Sequence, residues 1–252
     1  MDGRTDRSKR TSQNRIVIFL MAMLMLATMP MTAFASSADS LQAIADKAGC
    51  AYEDILSSKL VAPGESVSDW IAIATGCSGN PVKRNAYLKG LEEYVTAEYE
   101  RNGCLHNIKA TEYHRISLAV LALGGDPTAF GKDASGEPIN LIAEGTYNWD
   151  HSDSLGTQGL NGWIWALITI DAKYYDIPRD AIYTREDMVN AILAAQTDEG
   201  GFGLSGGSPD VDITAMALQA LASYYPQHEN VKGSVDRALG RSEEHTSELQ
   251  SL

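Results

Sequence analysis

Two carboxylates stand at the start of an apolar helix in residues 196–221, QTDEGGFGLSGGSPDVDITAMALQAL. Asp210 and Asp212 come just before Thr214 and the helical run that follows. Asp212 is placed to cap the free N–H groups of that helix, and Asp210, after Pro209, fits a turn. The same carboxylates are also placed to contact a ligand or a Ca²⁺ ion. The sequence therefore predicts a structural role for this pair and leaves a binding role open.

Aromatic and ionisable residues also stand at or near the start of the other apolar helices, and Tyr147 and Trp149 stand in a neighbouring loop. The candidate ligand-binding residues are Trp70, Glu112, His114, Arg115, Tyr147, Trp149, Asn161, Trp163, Asp210, Asp212 and Thr214. Aromatic faces with polar groups at their rim suit sugars, peptides or flat cofactors. Trp163 and Trp165 are two positions apart on one helix, so at most one of them faces a shared cavity. For His114, a hydrogen-bonded structural role competes with a catalytic one.

Helices of two kinds alternate along the chain. Apolar and small residues cover nearly every face of four helices, which begin near residues 68, 111, 159 and 212. Between them lie helices with one polar face, at residues 87–101, 139–145, 185–196 and 231–239. Thr184 and Asp187 form a capping box before the third of these. This alternation predicts an all-α fold, with an inner ring of buried helices wrapped by an outer ring.

We expect an α/α toroid, or an open arc of one, built from about four helix pairs. Equivalent positions in the apolar helices, Ile71, Ile116, Trp163 and Met216, recur every 45 to 53 residues. A helical solenoid is the competing all-α architecture. The Gly-rich loops at residues 156–162 and 200–207 argue against it, because they are longer than tight solenoid turns need.

The two ends of the chain differ from its middle. Lys9, Arg10 and Arg15 precede an apolar run, and Ala33 and Ala35 are the small residues that a signal peptidase recognises. We therefore expect residues 1–35 to be a secretory signal peptide and the protein to be secreted or at the cell surface. An N-terminal membrane anchor is the alternative, but the apolar run is short for a span.

The remaining boundaries divide the chain into three parts. Residues 36–67 are predicted to be a helical lead-in, with helices at residues 40–48 and around Ile55. Residues 68–240 form the predicted repeat domain, which we expect to be incomplete at its C-terminal end. Residues 241–252 resemble the translation of a sequencing adapter, so no function is inferred from His245.

Charge and cysteine content limit the partners of the chain. A formal net charge of -13 argues against nucleic acid and against anionic membrane surfaces. We expect no membrane span after signal cleavage, and an extracellular small molecule, glycan or peptide as the partner. Cys50, Cys77 and Cys104 leave open one disulfide with a free thiol or three free thiols. They show no metal-ligand spacing, so neither a metal site nor a cofactor is predicted.

Several segments together resemble one family of helical repeats. Gln196-x-x-x-Gly200-Gly201-Phe202 is similar to the QW repeat of squalene and oxidosqualene cyclases, and to the matching repeat of protein prenyltransferase β subunits. More closely, residues 69–225 resemble secreted bacterial surface proteins built from prenyltransferase/squalene-oxidase repeats. The motifs are TEYHRISLAVLALGGDP, INLIAEGTYN, GLNGWIWALITID, TREDMVNAILAAQ and DVDITAMALQALA. The resemblance implies the toroid, whereas lipid cyclases, prenyl transferases and vitamin B12 carriers in this wider group differ in function.

The acidic motif DVDITA resembles the D-x-D-D-T-A signature of squalene-hopene type cyclases. By position, Asp210 matches the first aspartate and Asp212 the middle one, which in that family protonates an alkene. Ile213 replaces the third aspartate, which weakens the match because alkene protonation needs a strong, dry and supported acid. The zinc site of the prenyltransferases is not matched, since Asp212 stands where those enzymes have a cysteine.

From these patterns we predict an exported, surface-associated domain that binds an extracellular ligand without catalysis. One alternative is a terpenoid-cyclase-like or prenyltransferase-like enzyme with Asp212 as its catalytic acid. A further alternative is a polysaccharide-active enzyme, in which Glu112 and either Asp210 or Asp212 would act as acid and base about 5 to 10 Å apart.

Overall fold

The structure is a computed structural model that describes residues 43, 44, 47, 62–77 and 84–250, with side chains up to residue 241. By internal contacts the chain divides into two units, Met1–Lys47 and Ala48–Leu252. Of the first unit, only Ala43, Ile44 and Lys47 are described, and they are helical. The predicted signal peptide, the predicted helix around residue 55 and Cys50 lie outside the described residues.

The described part of the second unit contains eight α-helices and no strand. The helices are α1 (Ser66–Cys77), α2 (Arg84–Asn102), α3 (Ala110–Ala122), α4 (Leu141–Gly145), α5 (Asn161–Asp171), α6 (Arg185–Ala194), α7 (Val211–Leu221) and α8 (Glu229–Gln250). A 3-10 turn, Ala222–Tyr224, follows α7. The predicted all-α class is confirmed, and each helix predicted from residue 68 onward has a counterpart.

The odd-numbered helices form a row of neighbours. α1 packs on α3, α3 on α5, and α5 on α7. The even-numbered helices pack onto this row, with α2 on α1 and α3, α4 on α3 and α5, α6 on α5, and α8 on α7. The contacts therefore follow the alternation in the sequence, while closure of the row into a ring stays a prediction.

The pattern of buried residues differs between the two kinds of helix. In α3, the consecutive residues 113–117 are all buried, which requires neighbours on every side of the helix. In α2, by contrast, Leu91 and Val95 are fully buried while Lys89 and Glu93 are exposed. One face of α2 thus covers the row and the other faces solvent.

Two glycines allow close approaches that a side chain would prevent. A Cβ atom on Gly76 would lie 2.4 Å from the carbonyl oxygen of Ala122, so α1 and α3 approach each other closely there. A Cβ atom on Gly162 would lie 1.7 Å from the carbonyl oxygen of Leu155. The loop before α5 therefore packs directly on the first turn of that helix, beside the clefts described below.

The starts of α6 and α7 follow the capping rules, with one correction. Thr184 caps α6 and forms the predicted capping box, in which Asp187 Oδ2 accepts from the Thr184 N–H at 2.8 Å. At α7, the prediction that Asp212 caps the helix was wrong. Asp210 is the cap, since its Oδ1 accepts from the Ile213 N–H at 2.9 Å. The extended backbone of Asp210 lets its side chain fold back over the first turn of the helix. Asp212, by contrast, already lies within the helix and has helical geometry.

Two further findings concern the lengths of the helices. α8 continues to residue 250, past the domain boundary predicted at residue 240. Over the residues that the structure describes, every helix is too short or too polar to cross a membrane.

Candidate functional site

A buried ion pair joins α1 to α3. Asp69 of α1 is fully buried and accepts from Arg115 Nε at 3.0 Å, from the Tyr87 hydroxyl at 2.8 Å and from the Gly64 N–H at 3.1 Å. Arg115 Nη2 donates to the Gly64 carbonyl at 2.8 Å and to Glu112 Oε2 at 2.6 Å. One guanidinium thus holds two carboxylates together with the turn that precedes α1.

Burial sets the electrostatics of this group. Desolvation raises the pKa of Asp69, while the hydrogen bonds from Tyr87 and Arg115 oppose that shift. Both oxygens of Asp69 accept from donors, so the geometry serves the ionised carboxylate. Desolvation, and then the charge of Asp69, raise the pKa of the Tyr87 hydroxyl. Tyr87 therefore acts as a donor to a charged acceptor.

An open cleft of about 190 Å³ lies beside the ion pair, and we call it the tryptophan cleft. Its lining residues are Ser66 and Trp70 of α1, Thr111, Glu112 and Arg115 of α3, and Asn161 and Trp165 of α5. All lie in the first two turns of their helices. The rings of Trp70 and Trp165 meet with centroids 5.0 Å apart and planes at 57°. Two indole rings and one carboxylate therefore share the cleft.

A second cleft of about 110 Å³ adjoins the first, and we call it the side cleft. Thr111 and Asn161 line both clefts. The side cleft is further lined by Ile108, Lys109, Ala110, Leu155, Gln158, Gly162 and Leu204. Ile108 and Leu204 are 44% and 43% exposed, so apolar surface is open to solvent there. At the junction, Asn161 Oδ1 is buried without a hydrogen-bond partner.

Four of the predicted ligand-binding residues line the tryptophan cleft, namely Trp70, Glu112, Arg115 and Asn161. Trp163 lies outside this cleft and packs edge-on against Tyr183, with ring centroids 5.1 Å apart and planes at 84°. Trp165, its neighbour two positions on, takes the place in the cleft. The helical period separates the directions of these two side chains. It does not indicate which of them faces the cleft.

The acidic motif lies apart from both clefts. Thr214 is buried, and its hydroxyl accepts from the Phe202 N–H at 2.9 Å and donates to the Phe202 carbonyl at 3.2 Å. It therefore fastens the Gly-rich loop to α7. Asp210 caps α7, and Asp212 is exposed in the first turn. Neither aspartate lines a cleft with Glu112, so the acid–base pair considered from the sequence is not brought together in the tryptophan cleft.

His114, Tyr147 and Trp149 are core residues. His114 Nε2 lies 2.5 Å from the Gly145 carbonyl oxygen, and desolvation lowers the pKa of His114 to about 4. The imidazole is therefore neutral at pH 7, and its Nε2–H is the donor to that carbonyl. Trp149 is 1% exposed, and its indole N–H donates to the Ser152 hydroxyl at 3.0 Å.

A second polar cluster lies where α2, α3 and α4 meet. The Tyr99 hydroxyl donates to Glu144 Oε2 at 2.5 Å, and the Tyr113 hydroxyl lies 3.2 Å from His151 Nε2. Sequence reasoning missed this cluster, as it missed the role of Tyr87. The available signal was the row at residues 87, 91, 95 and 99, in which two tyrosines continue a buried apolar face. A buried hydroxyl needs a partner, but one helix does not reveal which residue supplies it.

Side chains suited to metal binding are scattered. No group of three or more His, Cys, Asp or Glu residues in the described ranges is placed to hold a metal ion. Cys77, which is exposed, and Cys104, which is half-buried, are both free thiols.

Comparisons with protein family models, with curated proteins and with solved structures found no match for this chain. The resemblance to prenyltransferase/squalene-oxidase repeat proteins therefore stays a prediction from the sequence.

Proposed function

We propose that this protein is an exported, surface-associated α/α-toroid domain that binds an extracellular ligand in the tryptophan cleft without transforming it. The observation that carries the proposal is the pair of indole rings, Trp70 and Trp165, which lie in the cleft with Glu112. Aromatic surface beside a few polar groups is typical of ligand sites. Trp70 keeps 40% of its surface exposed, so its ring is accessible to a ligand in the cleft.

The buried ion pair supports this role because it holds the cleft in place before a ligand arrives. Arg115 is anchored on Asp69 and Gly64 and contacts Glu112 at the same time. A side chain that is already ordered loses little conformational entropy on binding. The neighbour contacts from α1 through α3 to α5 bring the first two turns of the three helices together, which is the arrangement expected at one mouth of a toroid.

The chemistry of the tryptophan cleft favours binding over catalysis. Hydrolysis of a glycoside uses two carboxylates on either side of the bond, and Glu112 is the one carboxylate among the lining residues. A cyclase needs a dry and supported acid, whereas Asp212 is exposed at the start of α7. The cyclase-like and polysaccharide-active alternatives thus lack a supporting observation.

Removal of the exposed indole tests the proposal. The probes are oligosaccharides, short synthetic peptides and flavin mononucleotide, each titrated into the chain by calorimetry. Trp70→Ala should weaken binding of the active probe about tenfold or more, because a central aromatic anchor contributes over about 1 kcal/mol. Tyr174→Asn is the control, since it removes an exposed aromatic at φ 51°, a conformation that asparagine tolerates. Equal affinities of Trp70→Ala and the unaltered chain, or no binding by any probe, would contradict the proposal.

A further inference from the structure

The two clefts adjoin at Thr111 and Asn161, and their walls differ in chemistry. We propose that together they bind an extended polypeptide segment with a lysine or arginine side chain in the tryptophan cleft and an apolar side chain, two residues away, in the side cleft. This inference rests on the proposed function of the tryptophan cleft, to which it adds the class of ligand.

The charge of the tryptophan cleft favours a cation. Arg115 is shared between two carboxylates, Asp69 and Glu112, so the ionised group carries one excess negative charge. Glu112 and Arg115 both line the cleft, but the side chain of Glu112 is 25% exposed and that of Arg115 only 7%, so the carboxylate is the more accessible charge at the cleft wall. Indole faces attract an ammonium or guanidinium group through the ring quadrupole. Glu112 and the two tryptophans therefore attract the same kind of group.

The charge of the whole chain acts in the same direction. The formal net charge is -13, so a basic segment is attracted from a distance and an acidic one is repelled. A neutral glycan gains nothing from this field. Net charge thus favours a basic peptide over the other ligand classes that the indole pair alone would accept.

The side cleft favours an apolar group. Ile108 and Leu204 expose apolar surface there, and the buried Leu155 also lines it. Lys109 lies in the same wall and repels a second cation. The basic side chain of the ligand therefore has one preferred position, in the tryptophan cleft, and the apolar side chain has the other.

The junction between the clefts suits a peptide backbone. Asn161 Oδ1 is buried there without a partner, and such an unmet acceptor is costly. The Asn161 side chain lines both clefts, and a 180° turn of its amide exchanges Oδ1 and Nδ2, so the same side chain can serve either a peptide N–H or a peptide carbonyl. Alternate side chains of an extended chain point the same way at about 6.6 Å spacing. This alternation explains why the two anchoring side chains should be two residues apart.

Designed peptides test the inference. The probes are the acetylated and amidated pentapeptides Ser-Leu-Gly-Lys-Ser and Ser-Lys-Gly-Leu-Ser, which cover both directions of the chain. Matched peptides replace lysine by glutamate or leucine by serine, and chitotetraose represents a neutral glycan. Calorimetry at low salt should show that a lysine peptide binds about tenfold or more tightly than its glutamate counterpart. Its affinity should fall as salt is added, because the exposed charges are screened.

A charge-neutral variant identifies the residue responsible. Glu112→Gln keeps the shape of the side chain and should weaken the lysine peptide about fivefold to tenfold. Glu92→Gln, on the exposed face of α2, should leave its affinity unchanged. Circular dichroism of both variants checks that the helices persist.

The outcomes separate the inference from the proposed function. Equal binding of lysine and glutamate peptides, or Trp70-dependent binding of chitotetraose or flavin mononucleotide alone, would overturn the peptide inference and leave the proposed function standing. If no probe binds in a Trp70-dependent way, both are overturned.

Discussion

His114 and Arg115 are consecutive residues of α3, and burial affects them differently. His114 has a backbone carbonyl as its partner, and desolvation lowers its pKa to about 4, so it is neutral. Arg115 stays charged because Asp69 and Glu112 accept its hydrogen bonds. The sequence placed both residues near the site, yet only Arg115 lines the cleft. The difference arises because the side chains of consecutive helical residues point in different directions and so meet different neighbours.

The lowered pKa of His114 should make the protein less stable in mild acid. The unfolded chain takes up a proton below the ordinary pKa of 6.5, while the folded chain does so only below about 4. Between these values the unfolded state holds one more proton. The contribution of neutral His114 to the free energy of unfolding is fully present above pH 6.5. It therefore falls by about 1.4 kcal/mol for each unit by which the pH drops from 6.5 toward 4. We expect His114 to account for a loss of about 2 kcal/mol between pH 7 and pH 5, measured by urea unfolding.

Two variants isolate this effect from other titrating groups. His114→Gln keeps a donor for the Gly145 carbonyl and removes the titrating group. Between pH 7 and pH 5 this variant should therefore lose about 2 kcal/mol less stability than the unaltered chain. His228→Gln, at an exposed histidine, should keep the pH dependence of the unaltered chain. An unchanged slope in His114→Gln would show that His114 is not the neutral residue described here.

At the scale of the helices, α1 and α3 are joined by contacts of two kinds. Their backbones approach closely at Gly76, and the ion pair of Asp69 with Arg115 links their first two turns. The sequence predicted both helices, because apolar and small residues cover nearly all of their faces. It did not predict the ion pair, since Asp69 and Arg115 are 46 positions apart and hydrophobic periodicity carries no information about partners. The capping box of Thr184 and Asp187 was predictable because both partners lie within one turn.

Loss of the buried arginine should cost far more than loss of an exposed one. Arg115→Leu leaves the Asp69 carboxylate buried without its ion partner and should lower the free energy of unfolding by about 3 to 5 kcal/mol. Arg101→Leu is the matched control, since Arg101 pairs with Glu98 at 2.6 Å but its side chain is 64% exposed. That change should cost less than about 1 kcal/mol. Urea unfolding at pH 7 measures both.

A compensating change distinguishes unpaired charge from lost packing. Asp69→Asn combined with Arg115→Leu removes both charges and keeps an acceptor for Tyr87. The double variant should be more stable than Arg115→Leu alone. If it is less stable, the cost of Arg115→Leu comes from packing and not from the buried carboxylate.

At the scale of the whole molecule, alternation in the sequence predicted which helices are neighbours. The buried helices form a row and the amphipathic helices pack onto it. The sequence also predicted in outline that helix starts converge, and the first two turns of α1, α3 and α5 do share one cleft. The acidic start of α7 lines neither cleft, and the period of the repeat alone did not predict this. Closure of the ring stays part of the proposal.

The central claim is that a ligand binds in the tryptophan cleft against Trp70 and Trp165, and the tryptophans of the chain provide its most direct test. There are four of them, with Trp70 and Trp165 in the tryptophan cleft and Trp149 and Trp163 packed elsewhere. Indole ¹H–¹⁵N resonances, assigned by single Trp→Phe replacements, would be followed while the lysine pentapeptides and the other probes are added. The resonances of Trp70 and Trp165 should shift with bound probe, and those of Trp149 and Trp163 should stay in place. Shifts confined to Trp149 or Trp163 would contradict a ligand site in the tryptophan cleft.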